Sequence, residues 1–219
     1  MAHMQPMTHP ARDDMPLNLF HTADAHCATF DALRDRIAPG LELVHHVRPA
    51  WLRRARDGIS PTLANEISSA IGDVDGVALC TCTTIGPVAG KAGAIRIDQP
   101  MMERAAELGG PILLAYCLDS TWEPSLALLD RALEVRGRPA TVHPLPLTQY
   151  WPLFEAGEVT AFHAVLAGEI RQAVTRADDP GCVVLAQASM AGAADMLGDL
   201  PCPVLASQEL AFRSALARI

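Results

Sequence analysis

The chain has 219 residues, half of them hydrophobic, which is enough for one large α/β domain or two smaller lobes. Its formal net charge of −8 argues against a nucleic-acid partner, because a phosphate-binding surface needs clustered Lys and Arg. The longest weakly polar stretch, 76–95, contains Pro87, Lys91 and four glycines, which excludes a membrane helix there. Six cysteines lie mostly in apolar runs, which predicts reduced thiols in a cytoplasmic protein rather than a disulfide framework.

The first half of the chain alternates apolar runs with segments of helical periodicity. Residues 1–16 lack an apolar run, so we expect a flexible leader and no signal peptide. The pattern then predicts strands at 17–20, 41–47 and 77–82, and helices at 28–37, 51–56, 62–71 and 101–108. Ser60-Pro61 marks the start of the third of these helices. The run 77–82 has no polar alternation, which is typical of a parallel sheet covered on both faces.

The second half repeats this order. The pattern predicts strands at 112–116, 140–145, 182–188 and 204–206, and helices at 124–133, 159–174 and 191–197. Strands that alternate with helices predict an α/β fold with parallel sheets and right-handed crossovers. We therefore predict two similar lobes, 17–110 and 111–219, with the end of the chain able to pack back on the first lobe.

The two halves can be laid on each other. Aligning 77–82 with 184–189 pairs Cys82 with Ser189. This pattern predicts two similar lobes that face each other across a cleft. Ligands bind at the carboxyl ends of parallel strands, where both residues are expected to lie.

The most informative segment is Cys82-Thr83-Thr84-Ile85-Gly86. A thiol at a strand end can exchange a proton or attack a carbon, provided that it forms a thiolate. The hydroxyls of Thr83 and Thr84 and the N–H groups of the turn can hold a carboxylate. Composition alone favours the alternative, a buried structural thiol like the one expected at Cys80.

Residues 75–86 resemble the first cysteine motif of the aspartate/glutamate/hydantoin racemase superfamily, in which a strand ends in Cys, a small polar residue and Thr. Residues 95–101 and 184–191 are similar to later segments of such proteins, and the resemblance covers nearly the whole chain after the leader. It implies two α/β lobes related by pseudo-twofold symmetry, a homodimer or higher oligomer, a small carboxylate substrate and no cofactor. It assigns Cys82 as the first of two thiols that flank the substrate carbon, with carboxylate contacts from Thr83, Thr84 and the turn at 189–191, which includes Met190 and Ala191.

The sequence departs from this pattern at the second cysteine, where the alignment places Ser189. A hydroxyl is a far weaker acid than a thiol and needs an activating group to serve as a base. Racemisation or isomerisation through Cys82 with Ser189 therefore stands beside two alternatives. One is a single-cysteine decarboxylase of the arylmalonate type, whose members keep their cysteine in the second half, and the other is a non-catalytic carboxylate-binding protein. A flavodoxin-like domain is a weaker hypothesis, because no Gly-rich fingerprint follows the first strand.

Three further residues are candidates by position. His21, after the first strand, is either a residue that orients a carboxylate or moves a proton, or a loop histidine with a backbone hydrogen bond. Tyr116 ends the equivalent strand of the second half and is either a hydrogen-bond donor to the substrate or a core residue. Asp98 is expected to cap the helix that starts near Pro100.

A metal site is not predicted from the histidines. His21, His26, His45 and His46 do not match the spacing of a closed zinc site.

Overall fold

The computed structural model describes residues 15–177 and 179–219, so most of the predicted leader lies outside the described residues. The strands are β1 Leu17–His21, β2 Leu43–Val47, β3 Val77–Cys80, β4 Ile95–Arg96, β5 Ile112–Tyr116, β6 Val142–Pro146, β7 Cys182–Leu185 and β8 Val204–Leu205. The helices are α1 Ala25–Ile37, α2 Pro49–Ala55, α3 Pro61–Gly72, α4 Gly86–Lys91, α5 Gln99–Leu108, α6 Asp119–Arg136, α7 Trp151–Glu155, α8 Val159–Arg176 and α9 Ser207–Leu216. Two 3₁₀ segments, Thr148–Tyr150 and Ala188–Met196, complete the described elements.

The strands form two parallel sheets with the same order. One sheet has the order β2-β1-β3-β4 and the other β6-β5-β7-β8, and all the strand pairs are parallel. The central strands β1 and β5 are buried along their whole length, because helices cover both faces of each sheet. The predicted fold class, two similar α/β lobes with parallel sheets, is confirmed.

Equivalent hydrogen bonds fix the register between the lobes. The N–H of Thr81 donates to the carbonyl of Phe20, and the N–H of Ala186 donates to that of Ala115. Counted from these bonds, Cys82 corresponds to Gln187. Ser189 corresponds to Thr84, two residues further along.

The predicted pairing of Cys82 with Ser189 is therefore wrong by two residues. Strand β3 begins at Val77 and strand β7 begins at Cys182, so these two residues are equivalent in the structure. The sequence alignment instead matched Val77 with Val184. A shift of two residues leaves every side chain on the same face of a strand, so an apolar run cannot reveal it.

The last helix of each half packs on the sheet of the other half. Helix α5 contributes Met101 and Ala105 to the core around β5 and β7. Helix α9 contributes Phe212 to the core around β1, where its ring lies 6.3 Å from that of Phe30. The two lobes therefore do not divide at one point of the chain, and the end of the chain packs back on the first sheet.

Two local predictions differ from the structure. The segment predicted as a helix at 191–197 forms the 3₁₀ segment that ends at Met196. The side chain of Asp98 makes no capping hydrogen bond. Its buried carboxylate instead accepts two hydrogen bonds from Arg96, at 2.9 and 2.7 Å, because a buried carboxylate is best satisfied by a bidentate guanidinium.

None of the described helices has both the length and the hydropathy that a membrane crossing requires.

Candidate active site

A cavity of about 610 Å³ lies between the lobes, where the carboxyl ends of both sheets meet. The loops after β1, β3 and β7 line its inner wall, with Thr22 to His26, Thr81 to Thr84 and Gln187 to Ser189. Helices α2 and α7 line its mouth with Leu52, Arg53, Arg56, Trp151, Phe154 and Glu155. This is the position expected for a ligand site in parallel α/β sheets.

Cys82 lies in the cavity wall, two residues after the end of β3, and is 8% exposed. Burial raises the pKa of its thiol above the ordinary value. The side chain of Thr22 and the backbone N–H groups of Ile85 and Thr84 act in the opposite direction, because they hydrogen-bond to the thiolate. Cys82 is thus a thiol with little exposure to solvent. The hydrogen-bond donors around it can stabilise its thiolate.

The two threonines after Cys82 connect the lobes. The hydroxyl of Thr83 donates to the carbonyl of Ala186 in the second lobe, at 3.0 Å. The hydroxyls of Thr84 and Ser120 share a hydrogen bond of 3.2 Å. Because the proton of Thr83 is already used, its side chain fixes the turn. The hydroxyl of Thr84, which lies in the cavity wall, is left to bind a ligand.

The wall contributed by the second lobe carries an amide where the first carries Cys82. The side-chain oxygen of Gln187 accepts from the N–H groups of Cys117, at 2.5 Å, and Leu118, at 3.1 Å. Ser189 also lies in this wall, and its carbonyl accepts a hydrogen bond of 2.8 Å from Nε2 of His163.

A second thiol, Cys117, lies at the equivalent of Thr22. It is fully buried in the core of the second lobe, and burial raises its pKa to about 12. Cys117 is therefore not the missing partner of Cys82 at the cavity wall.

Charged side chains stand at the mouth of the cavity. Arg56, the residue after the end of α2, forms an ion pair with Glu155 of α7 and so bridges the two lobes. Arg53 also lines the cavity but makes no ion pair within the part of the chain that the structure describes. A guanidinium without a partner at a cavity wall is a ready site for a ligand carboxylate.

His21 is wholly buried behind the cavity wall. Its Nδ1 lies 2.8 Å from the hydroxyl of Thr81, and its Nε2 lies 2.8 Å from Nδ1 of His45. Burial, with a smaller contribution from the neighbouring His26, lowers the pKa of His21 to about 3, so its ring is neutral.

His26, five residues further along, lies in the cavity wall instead. Burial lowers the pKa of this residue to about 4. Sequence reasoning selected His21 and not His26, because the geometry of the turn decides which ring faces the cleft.

Three other predicted residues lie away from the cavity wall. The ring of Tyr116 packs against that of Trp122, with centroids 5.3 Å apart. Met190 is buried in the core of the second lobe. Ala191 lines a neighbouring cavity of about 440 Å³ that also contains His163.

Sequence reasoning missed the contributions of α2 and α7. Arg53, Trp151 and Phe154 belong to two short helices, and only the meeting of the lobes brings them to the cavity. The short basic segment at 51–56 was the available signal, because an unpaired cation near a cleft attracts anions.

Comparisons with known proteins identify the fold. No family model and no curated protein matches the chain. A glutamate racemase from Francisella tularensis subsp. tularensis, solved with D-glutamate, superposes with a TM-score of 0.68 at 12% identity, over 94% of this chain and 81% of that one. An allantoin racemase from Klebsiella pneumoniae gives 0.60 at 19% identity, over 93% and 86% of the two chains.

A maleate isomerase from Pseudomonas putida S16, solved with maleate, gives a TM-score of 0.54 at 16% identity, over 92% of this chain and 90% of that one. These likenesses confirm the expected fold, two similar α/β lobes, which this chain shares with the three enzymes.

Proposed function

Because the fold is that of known racemases and of a maleate isomerase, we propose that this protein is a cofactor-independent enzyme of the racemase/isomerase type. It acts at a carbon next to a carboxylate, with Cys82 as the reactive thiol. The observation that carries the proposal is the thiol in the wall of a cavity of about 610 Å³ where two parallel sheets meet. Enzyme sites of open α/β sheets lie at this position.

The cavity contains the groups that such chemistry needs. A substrate carboxylate binds to Arg53 and to the hydroxyl of Thr84, while the N–H groups of Thr84 and Ile85 hold the Cys82 thiolate. The Cys82 thiolate takes the proton from the adjacent carbon, and the electron pair of the broken C–H bond moves into the carboxylate to form an enediolate. The same donors stabilise the enediolate, because they are held in place before the charge develops.

One thiol limits the reactions that are available. Gln187 stands at the equivalent position of the other lobe, and a neutral amide is neither an acid nor a base at ordinary pH. Two-thiol racemisation is thus not supported. Proton exchange on one face fits the site, and so does cis–trans isomerisation, in which the thiolate adds to a double bond and leaves after rotation about the resulting single bond.

The presence of Gln187 favours a second candidate, a single-cysteine decarboxylase. In that reaction the bond to a second carboxylate breaks, its electron pair forms an enediolate, and carbon dioxide leaves. The thiol of Cys82 then protonates the carbon and recovers a proton from water. Only one protonating group is required, which matches one thiol in the cavity wall.

A deuterium-exchange screen tests both candidates. The chain is incubated in D₂O with small mono- and dicarboxylates, and NMR follows C–H exchange, isomerisation and loss of carboxylate. We expect turnover of at least one carboxylate that iodoacetamide abolishes and that the Cys82→Ser variant lacks.

Two results would contradict the proposal. Turnover at the wild-type rate in Cys82→Ser would exclude the thiol mechanism. Tight carboxylate binding without any turnover would instead identify a binding protein.

A further inference from the structure

A second group of reactive side chains lies behind the cavity wall. His21 of β1, Cys27 of α1 and His45 of β2 each offer one ligand atom, and these three atoms lie within 4.8 Å of one another. The strand register explains the approach of the two rings, because His45 pairs with Leu19 and His21 follows on the same face. The group is not part of the proposed reaction.

The hydrogen bonds around the two rings join them to Thr81. Nδ1 of His21 lies 2.8 Å from the hydroxyl of Thr81, which also lies 3.2 Å from the carbonyl of Phe20. Nε2 of His21 lies 2.8 Å from Nδ1 of His45. These two ring nitrogens face each other, and in the neutral rings a single proton lies between them.

The far side of His45 is unsatisfied. Its Nε2 is buried and has no hydrogen-bond partner within the described residues. The nearest carboxylate oxygen is Oδ1 of Asp31, at 3.5 Å. Asp31 lies one helical turn after Cys27, so both face the same side of α1.

This arrangement matches the surroundings of histidines that bind metal ions. Such a ring binds the ion through one nitrogen and donates the other N–H to a carboxylate, a hydroxyl or a carbonyl. Here the outer nitrogen of His21 meets Thr81 and that of His45 meets Asp31. A neutral imidazole is the form that binds metals, and the burial of His21 favours that form.

We propose that Nε2 of His21, Nδ1 of His45 and Sγ of Cys27 bind one divalent transition-metal ion of the zinc class. Binding releases the thiol proton of Cys27. It leaves one N–H on the outer nitrogen of each ring, facing the Thr81 hydroxyl in His21 and Oδ1 of Asp31 in His45. Two imidazoles and one thiolate suit zinc and cobalt, and a water molecule completes the tetrahedron.

The ion would have a structural effect close to the cavity. It ties the start of α1 to strands β1 and β2, and through His21 it reaches Thr81, the residue before Cys82. The proposal goes beyond the reaction proposed for Cys82 and does not depend on it.

Cobalt titration of the metal-free full-length chain tests the site. Cobalt bound to a thiolate gives a sulfur-to-metal charge-transfer band, and tetrahedral cobalt gives visible bands. We expect one cobalt per chain, displaced by zinc. In Cys27→Ser the charge-transfer band is lost, in His45→Gln the affinity falls at least tenfold, and in Asp31→Asn it falls by roughly 10- to 100-fold.

Matched variants separate this site from other thiols and imidazoles. Cys82→Ser, Cys202→Ser and His143→Gln should keep both the stoichiometry and the bands, and circular dichroism checks that every variant is folded. A band that persists in Cys27→Ser or disappears in Cys82→Ser would overturn the proposal. So would a wild-type chain that binds cobalt no more tightly than Cys27→Ser. Because no readout uses turnover, failure here leaves the proposed reaction untouched, and failure of that reaction leaves this site untouched.

Discussion

Cys82 combines a dry environment with several potential donors to its thiolate. Burial is the larger effect and raises the pKa of the thiol, so its thiolate fraction at neutral pH is smaller than that of a free thiol. In an enzyme of the proposed type, a bound substrate carboxylate would add a negative charge. The nearby cations and N–H groups then have to offset that charge.

The pH dependence of alkylation tests this environment. We expect the rate constant for modification of Cys82 by iodoacetamide to keep rising at pH values where glutathione has levelled off, because a raised pKa shifts thiolate formation upward. Mass spectrometry of the peptide that contains Cys82 measures the rate. A rate that levels off at lower pH than that of glutathione would show that the donors outweigh burial.

Arg53 provides a second prediction, about charge. Its guanidinium, which has no ion-pair partner among the described residues, should attract an anionic reagent, so iodoacetate should modify Cys82 more slowly in Arg53→Gln. An interaction of about 1 kcal/mol corresponds to roughly a fivefold change in rate. The neutral reagent iodoacetamide should react equally fast with both proteins, and Arg176→Gln, a surface control, should change neither rate. An equal loss with both reagents would point to a disturbed cavity instead.

The register between the lobes makes a prediction about the missing thiol. Gln187→Cys places a sulfur at the equivalent of Cys82, so we expect it to introduce racemisation of a carboxylate whose C–H exchanges in the wild type. Ser189→Cys, two residues away, should not. Chiral chromatography measures the product, and thermal unfolding checks the loss of the Gln187 hydrogen bonds. Racemisation by the Ser189→Cys variant alone would refute the register.

At the scale of the elements, α3 owes its start to one side chain. The hydroxyl of Ser60 accepts from the N–H of Leu63 at 3.2 Å, and Pro61 occupies the first turn. Ser60→Ala should lower the free energy of unfolding by about 1 kcal/mol, because one terminal N–H loses its acceptor. Urea unfolding measures the change. Ser60→Asp should retain most of the stability, and Ser69→Ala, within the same helix, should cost little.

The sequence predicted the strands better than the connections. Apolar runs identified seven of the eight described strands, since a strand covered on both faces has to be apolar throughout. Strand β4 has only two residues, and α4 contains Pro87 and Gly90, so neither shows a periodic pattern. The local sequence also predicted the turn after Cys82. It could not predict the register of β7, because that register is set by hydrogen bonds between strands.

Across the whole molecule, the exchange of α5 and α9 could not be predicted in detail. Each helix is amphipathic, and amphipathicity does not specify which sheet a helix covers. The same holds for the cavity mouth, where α2 and α7 come from different halves of the chain. Pairing between distant parts of the chain is a property of the folded core and not of any local segment.

Because α9 packs on the first sheet, a substitution in α9 should lower the local stability of strand β1. Phe212→Ala should destabilise the chain by about 3–5 kcal/mol, because the ring is fully buried against the first-lobe core. Hydrogen-exchange mass spectrometry should show the loss of protection in β1 peptides before β5 peptides. Arg218→Ala, nearby, should leave the protection unchanged, and equal losses in β1 and β5 would contradict the exchanged packing.

The contact between α5 and α9 also restricts how a ligand can enter. Each helix is anchored in the opposite lobe, so the side of the molecule where they meet cannot open without exposing both cores. At the cavity mouth, the exposed pair of Arg56 and Glu155 joins the two lobes. An exposed ion pair breaks at little cost. We therefore expect substrates to enter and products to leave between α2 and α7. The α5–α9 contact should stay closed and act as the hinge between the lobes.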